Sequence, residues 1–230
     1  MKKDDKAAAA APQSALIFEL DDLALGARAI RYEILKGILQ EQGIDFPEAL
    51  YVRNCLRSFP SVYMPALLDA MQYTTASAEQ VVKRLVGETT SRLMQKDATI
   101  RADLVSWLDA ALARNFNIVG VSILPSAESI AQHLEFDRWN TRILVASPSD
   151  TSMQQTDLWL RAAKAAERNP KNCLAIVSCS ESAKGALAAG MNVLAVPDAF
   201  TDFQDFGGVN ALCSSLKDVN PADLFRELSL

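Results

Sequence analysis

Over the second half of this chain, short apolar runs alternate with helical stretches, and one further run stands alone far upstream. The later runs cover residues 117–123, 142–146, 174–177 and 192–196. The helical stretches around them are 104–113, 126–134, 157–168, 182–189 and 221–228. Such alternation implies right-handed crossovers and a parallel sheet covered on both faces, an α/β fold in three layers. The isolated run, residues 16–20, is short, apolar and bounded, which suits one more buried parallel strand.

Between that run and the rest, the hydrophobic period is helical throughout. Ile30, Ile34, Leu35, Ile38 and Leu39 share one helix face that stops at Gly43, a C-terminal cap. Leu67, Leu68 and Met71 mark a second helix with Pro65 in its first turn. Val81, Val82, Leu85, Val86, Thr89 and Leu93 mark a third, opening near Ser77. Residues 27–97 therefore predict a helical insertion after the first strand, and residues 14–26 with 98–230 form the α/β core. Ser126 is expected to cap the helix that follows it. Residues 1–13, a Lys/Asp cluster followed by alanines, are expected to be a disordered lead-in.

Composition excludes several partners. Half the residues are hydrophobic, so a sizeable core is available, and the net charge of −5 argues against a nucleic-acid partner. No apolar stretch approaches the ~20 residues of a membrane span, and the N-terminal stretch lacks the apolar centre of a signal peptide. A cytoplasmic location with free, buried thiols at Cys55, Cys173, Cys179 and Cys213 follows as an expectation. None of these pairs as CxxC and the single histidine is His133, so a zinc site is not expected. His133, next to Leu134 on a helix, is expected at the surface or in the core rather than in catalysis.

Chemistry in such folds sits at the carboxyl ends of the strands. The first run ends there in Glu19-Leu20-Asp21-Asp22, an acid-x-acid pair with a further acid beside it. A lone strand, a helical insertion and then successive βα units resembles the haloacid dehalogenase (HAD) superfamily, in its β-phosphoglucomutase and CbbY-like branch. The segments Leu187-Ala188-Ala189-Gly190-Met191, Val196-Pro197 and Thr201-Asp202-Phe203-Gln204-Asp205-Phe206 strengthen the likeness. The resemblance implies a Rossmann-like HAD core (parallel sheet, α/β/α) with an inserted α-helical cap domain.

It also implies four motifs, which this sequence meets unevenly. The family's nucleophilic aspartate is Glu19 here, and its acid/base aspartate is Asp21. Glutamate extends the carboxylate by ~1.5 Å, and misplacement on that scale can cost about 100-fold. The glycine that usually follows is Asp22, and the Asp-Ser pair closing the motif is Gly26-Ala27. Ser122 keeps the phosphate-binding hydroxyl, unless it only bonds local backbone. The family's lysine falls on Met153, which cannot offset a phosphate's charge, and Lys164 lies within a helix. The magnesium-holding acids fall on Val177 and Ser178, followed by Cys179, with Glu181 the one nearby acid that could substitute. Cys179 is expected as a packed thiol rather than a nucleophile.

Other side chains carry two readings each. Arg28 and Arg31, like Arg53 and Arg57, could receive an anionic ligand or be solvated ends of amphipathic helices. Trp107, Trp159, Tyr51, Tyr63 and Tyr73 could line a pocket under the cap or pack helix faces. Loss of lysine, metal acids and ideal nucleophile together predicts a pseudoenzyme. It would act as a binding or scaffold module for an unidentified protein or small metabolite, with no cofactor. The alternative is a weak phosphatase acting on a sugar phosphate, with Glu19, Asp21 and Glu181 around Mg2+.

Overall fold

The structure, a computed structural model, describes residues 14–56, 59–146 and 155–230. The predicted lead-in at 1–13, Arg57 and Met153 lie outside the described residues. Six parallel strands form one sheet: β1 (Ala15–Glu19), β2 (Asn117–Ser122), β3 (Arg142–Val145), β4 (Cys173–Val177), β5 (Asn192–Ala195) and β6 (Ala211–Leu212). They lie in the order β3-β2-β1-β4-β5-β6, so β1 is central, with β2 on one side and β4 on the other. The chain's progress across the sheet reverses at β1, and such a switch point leaves a crevice beyond the strand ends.

Every residue of β1 is buried, with Leu16 and Phe18 in one apolar layer and Ala15 and Ile17 in the other. Burial on both faces explains why the run reads as continuously apolar rather than alternating. The first layer contains Trp107 of α5 (Ala102–Ala113) and Phe225 of α9 (Pro221–Glu227). The second contains Trp159 of α7 (Thr156–Ala165) and Ala183 of α8 (Ser180–Ala188). α6 (Ala127–His133) follows β2.

Between β1 and α5 the chain forms α1 (Ala27–Gln40), α2 (Glu48–Cys55), α3 (Pro60–Ala70) and α4 (Ala78–Leu93). Their shared core includes Leu35, Leu39, Tyr51, Met64 and Leu85, together with Phe200 from the loop after β5. The Phe200 ring sits 5.6 Å from Tyr32 and 5.5 Å from Tyr51, so the sheet domain plugs a ring into the helical block. Trp107 and Trp159 are fully buried core residues, while Tyr73 packs at the edge of the block. His133 is exposed, 3.3 Å from the Gln95 carbonyl.

Several local expectations need correction. The strand expected over 16–20 stops at Glu19, and residues Leu20–Ala24 form a π-helical turn. Ser126 does not cap α6; its hydroxyl bonds Thr90 Oγ1 at 2.7 Å, tying α4 to the core. Pro65 is inside α3 rather than in its first turn, because the helix begins at Pro60 and already buries Tyr63 and Met64. α2 and β6 had no clear sequence signal: α2 buries only Tyr51 and Cys55, and β6 has two residues. Ser77 does cap α4, in a reciprocal capping box with Gln80.

Candidate functional site

The crevice at the switch point is lined by strand ends and by the helical block. Its walls include Glu19, Asp21 and Asp22 after β1, Ile123 after β2, Cys179 after β4, and Arg28, Arg31, Tyr51 and Tyr63 from the block. The cavity is about 40 Å³. Tyr51 and Tyr63 thus take the pocket-lining reading.

Glu19 is 4% exposed and ringed by donors. Ser178 donates to Oε2 from its backbone N at 2.7 Å and from its hydroxyl. Ser182 Oγ donates to Oε1, with Cys179 Sγ 3.7 Å from the same oxygen. Burial raises the Glu19 pKa, against the lowering influence of Arg28. Cys179 shares this setting: burial, reinforced by Glu19, pushes its thiol well above the ordinary value. It is a protonated packed thiol, as expected.

Asp21 faces β2. Ser122 Oγ donates to Oδ1 at 2.6 Å and the Ile123 N–H donates to Oδ2 at 2.7 Å. Ser122 Oγ also accepts from Leu124 N at 3.0 Å. Burial pushes the Asp21 pKa up to about 6, the Ser122 hydrogen bond acting against it. Ser122 is therefore engaged with Asp21 and the local backbone.

The third acid meets the two arginines. Arg31 Nη2 bonds Asp22 Oδ1 at 2.6 Å, and Arg28 Nη2 lies 2.9 Å from Asp22 Oδ2. Arg28 also bonds Asp198 through Nη1 and Ser178 Oγ at 3.1 Å. Both arginines are at least nine-tenths buried, which overturns the solvated-helix-end reading. Burial works against their charge, but the surrounding acidic groups, Asp22 foremost, together outweigh it and both stay protonated. Burial also presses the Asp22 pKa upward, yet Arg28 and Arg31 together hold it below the ordinary carboxylate value. The Arg28 carbonyl accepts from Tyr51 OH at 3.1 Å, so the network reaches α2.

The positions assigned to metal acids separate. Val177 is fully buried in the apolar layer with Trp159 and Ala183, whereas Ser178 is bonded to Glu19. Glu181, in the first turn of α8, accepts from Ser180 Oγ at 3.2 Å and is not among the cavity's described walls. Among the described residues, no group of three His, Cys, Asp or Glu side chains is arranged to hold a metal ion. Magnesium would need hard oxygens free to coordinate. Each oxygen of Glu19, Asp21 and Asp22 already accepts a donor from this chain, so this donor set does not fit the ion.

Sequence reasoning missed the Asp22, Asp198 and Ser182 contributions. The signal for the arginines was present: positions 28, 31, 35 and 38 share one face of α1, and all four are buried.

Solved structures share this architecture. CbbY from Rhodobacter sphaeroides, in complex with phosphate, matches with a TM-score of 0.75 at 12% identity, covering 89% of this chain and 95% of its own. β-Phosphoglucomutase from Clostridium difficile matches at 0.75 and 18% identity, covering 94% and 97%. A family IA HAD hydrolase from Entamoeba histolytica matches at 0.78 and 12% identity, covering 95% and 100%. No protein-family model and no curated protein sequence matches the chain. The fold is accordingly that of the haloacid dehalogenases, in the form shared by CbbY and β-phosphoglucomutase, as the motif order implied.

Proposed function

We propose that this protein is a HAD-fold pseudoenzyme: a cytoplasmic binding or scaffold module whose helical block, residues 27–97, is a cap over a phosphoryl pocket that has lost its chemistry. Its partner is a protein or a small metabolite. The observation that carries this reading is the neutralisation of the strand-end acids by the chain itself. Arg28 and Arg31 bind Asp22, and Ser178, Ser182 and Cys179 surround Glu19. Phosphoryl transfer is catalysed mainly by positioning and by charge stabilisation from metal, lysine and nucleophile acting together. Here valine and serine stand at the places of the metal acids, Ser178 being bonded to Glu19, and an arginine pair bound to Asp22 supplies the local positive charge.

Asp22 matters most in this argument. Glycine at that place would leave the arginines without their shared carboxylate. With aspartate, a buried three-charge cluster occupies the crevice at the end of β1. Removing one partner of such a cluster costs about 3–5 kcal/mol, so the cluster resists opening to a ligand of either sign.

Hydrolysis of a generic phosphomonoester with millimolar magnesium tests the proposal. No turnover above buffer is expected from the wild-type chain. Turnover abolished by Asp21→Asn would establish the weak phosphatase instead.

A further inference from the structure

The helical block joins the sheet domain through two chain segments, residues 25–26 before α1 and 94–101 after α4. The Arg101 N–H donates to the Ala24 carbonyl at 2.9 Å, which sets the two segments side by side. Gly26 takes the left-handed φ of 62°, with nothing within 4 Å of the place a Cβ would occupy. Beside these segments Ala27 and Leu93 pack with Leu124 and Ile130. Two neighbouring connections of this kind make a hinge, in which a few residues absorb the motion of a whole block.

Away from the hinge segments, the two parts exchange phenylalanines. Phe200 of the sheet domain enters the block between Tyr32 and Tyr51. Phe59 of the block, at the start of α3, is buried in the sheet domain's apolar layer with Val121, Ala146 and Trp159. An ion pair accompanies the exchange, because Arg28 binds Asp198 Oδ2. The other oxygen, Asp198 Oδ1, accepts from the Phe200 N–H at 2.9 Å, so one carboxylate both shapes the loop and grips the block. Swinging the block away would return two rings to water and part the buried Arg28 from Asp198, and both changes oppose opening.

We infer that Phe59, Phe200 and the Arg28–Asp198 pair form a two-sided clasp that holds the block shut on the crevice through the chain's own contacts. The clasp is an autoinhibitory contact. Whatever enters the crevice must favour the open form strongly enough to release both rings and the ion pair, since a ligand with equal affinity for the two forms shifts nothing. The inference concerns conformation and stands whether or not the crevice retains chemistry.

The native thiols report on opening. Cys55 of the block and Cys179 of the sheet domain line the crevice, Cys173 is buried under the sheet, and Cys213 is part-exposed elsewhere. Rates of alkylation by N-ethylmaleimide, read thiol by thiol by mass spectrometry with no ligand added, test the clasp. Wild type should label Cys213 first, with Cys55 and Cys179 far slower. Asp198→Asn keeps an oxygen for the Phe200 N–H but breaks the ion pair, and Phe200→Ala removes one ring. Each should speed Cys179, and Cys55 across from it, by about tenfold or more while Cys173 stays slow, because labelling of a buried group follows the population of the opened form. Cys179 as fast as Cys213 in wild type would overturn the clasp, as would unchanged Cys179 in both variants. Equal acceleration of Cys173 would overturn it too, since that marks unfolding of the sheet rather than a swinging block. Phosphomonoester turnover refutes the non-catalytic reading and leaves these rates to decide the clasp, so the two failures are distinguishable.

Discussion

Asp22 is one residue that converts a strand-end loop into a charge cluster. Its two oxygens are divided between Arg31 and Arg28, and the three side chains act as a unit. Asp22→Asn leaves two buried guanidinium groups short of charge and should cost roughly 3–5 kcal/mol in urea unfolding. Arg31→Met should cost a similar amount. The double variant should be less destabilised than the sum, by about 1–3 kcal/mol, because its changes remove partners of the same bond. Strict additivity would mean that the cluster is three independent residues. Asp21 behaves differently, having hydrogen bonds but no arginine bonded to it. Its pKa is raised to about 6, so the folded chain holds that proton more tightly than the unfolded chain does. The stability tied to the protonated form is present in acid and is lost as pH rises through about 6. Asp21→Asn should therefore match wild type near pH 4 and exceed it by about 2–3 kcal/mol near pH 8. An equal difference at both pH values would contradict the buried, weakly supported carboxylate.

Elements divide into those whose borders are chemical and those whose borders are tertiary. α4 begins where its sequence says, because Ser77 and Gln80 satisfy each other's backbone donors. Ser77→Ala should cost about 1 kcal/mol, whereas Ser126→Ala should leave α6 intact and act only through the lost Thr90 contact. Circular dichroism melts of the two variants separate these roles; equal helix loss would refute the distinction. The strand–helix rhythm was legible because burial on two faces writes continuous apolar runs. β6 was not, since two residues paired with Leu194 and Ala195 leave no period to read. The site was half legible: Glu19, Asp21, Ser122 and Ser178 fall together at adjacent strand ends, as the motif spacing implied. The arginines were misjudged because their shared partner Asp22 was read only as a replaced glycine, and because Arg28's second partner, Asp198, lies far along the chain, after β5. Spacing alone cannot show that a salt bridge will bury a helix end.

At the scale of the molecule, loop and block are joined through one region. Phe200 packs among the tyrosines of the helical block, and two residues earlier Asp198 receives Arg28. Thr201 Oγ1 donates to the Ser178 carbonyl at 2.7 Å, linking that same loop to the residue that holds Glu19. One loop thus touches the helical block, the charge cluster and the end of β4 beside Glu19. The arrangement favours a molecule in which block and sheet stay engaged around a small, self-neutralised crevice. Millimolar magnesium should leave the melting temperature unchanged, because a ligand stabilises only in proportion to its binding. The most direct measurement is a calorimetric titration of magnesium into the protein in the presence of aluminium fluoride, a mimic of the phosphoryl group in flight. The expected result is no saturable heat in wild type or in Asp21→Asn. A saturable isotherm in wild type that disappears in Asp21→Asn would contradict the claim that these acids are already satisfied by the chain's own donors.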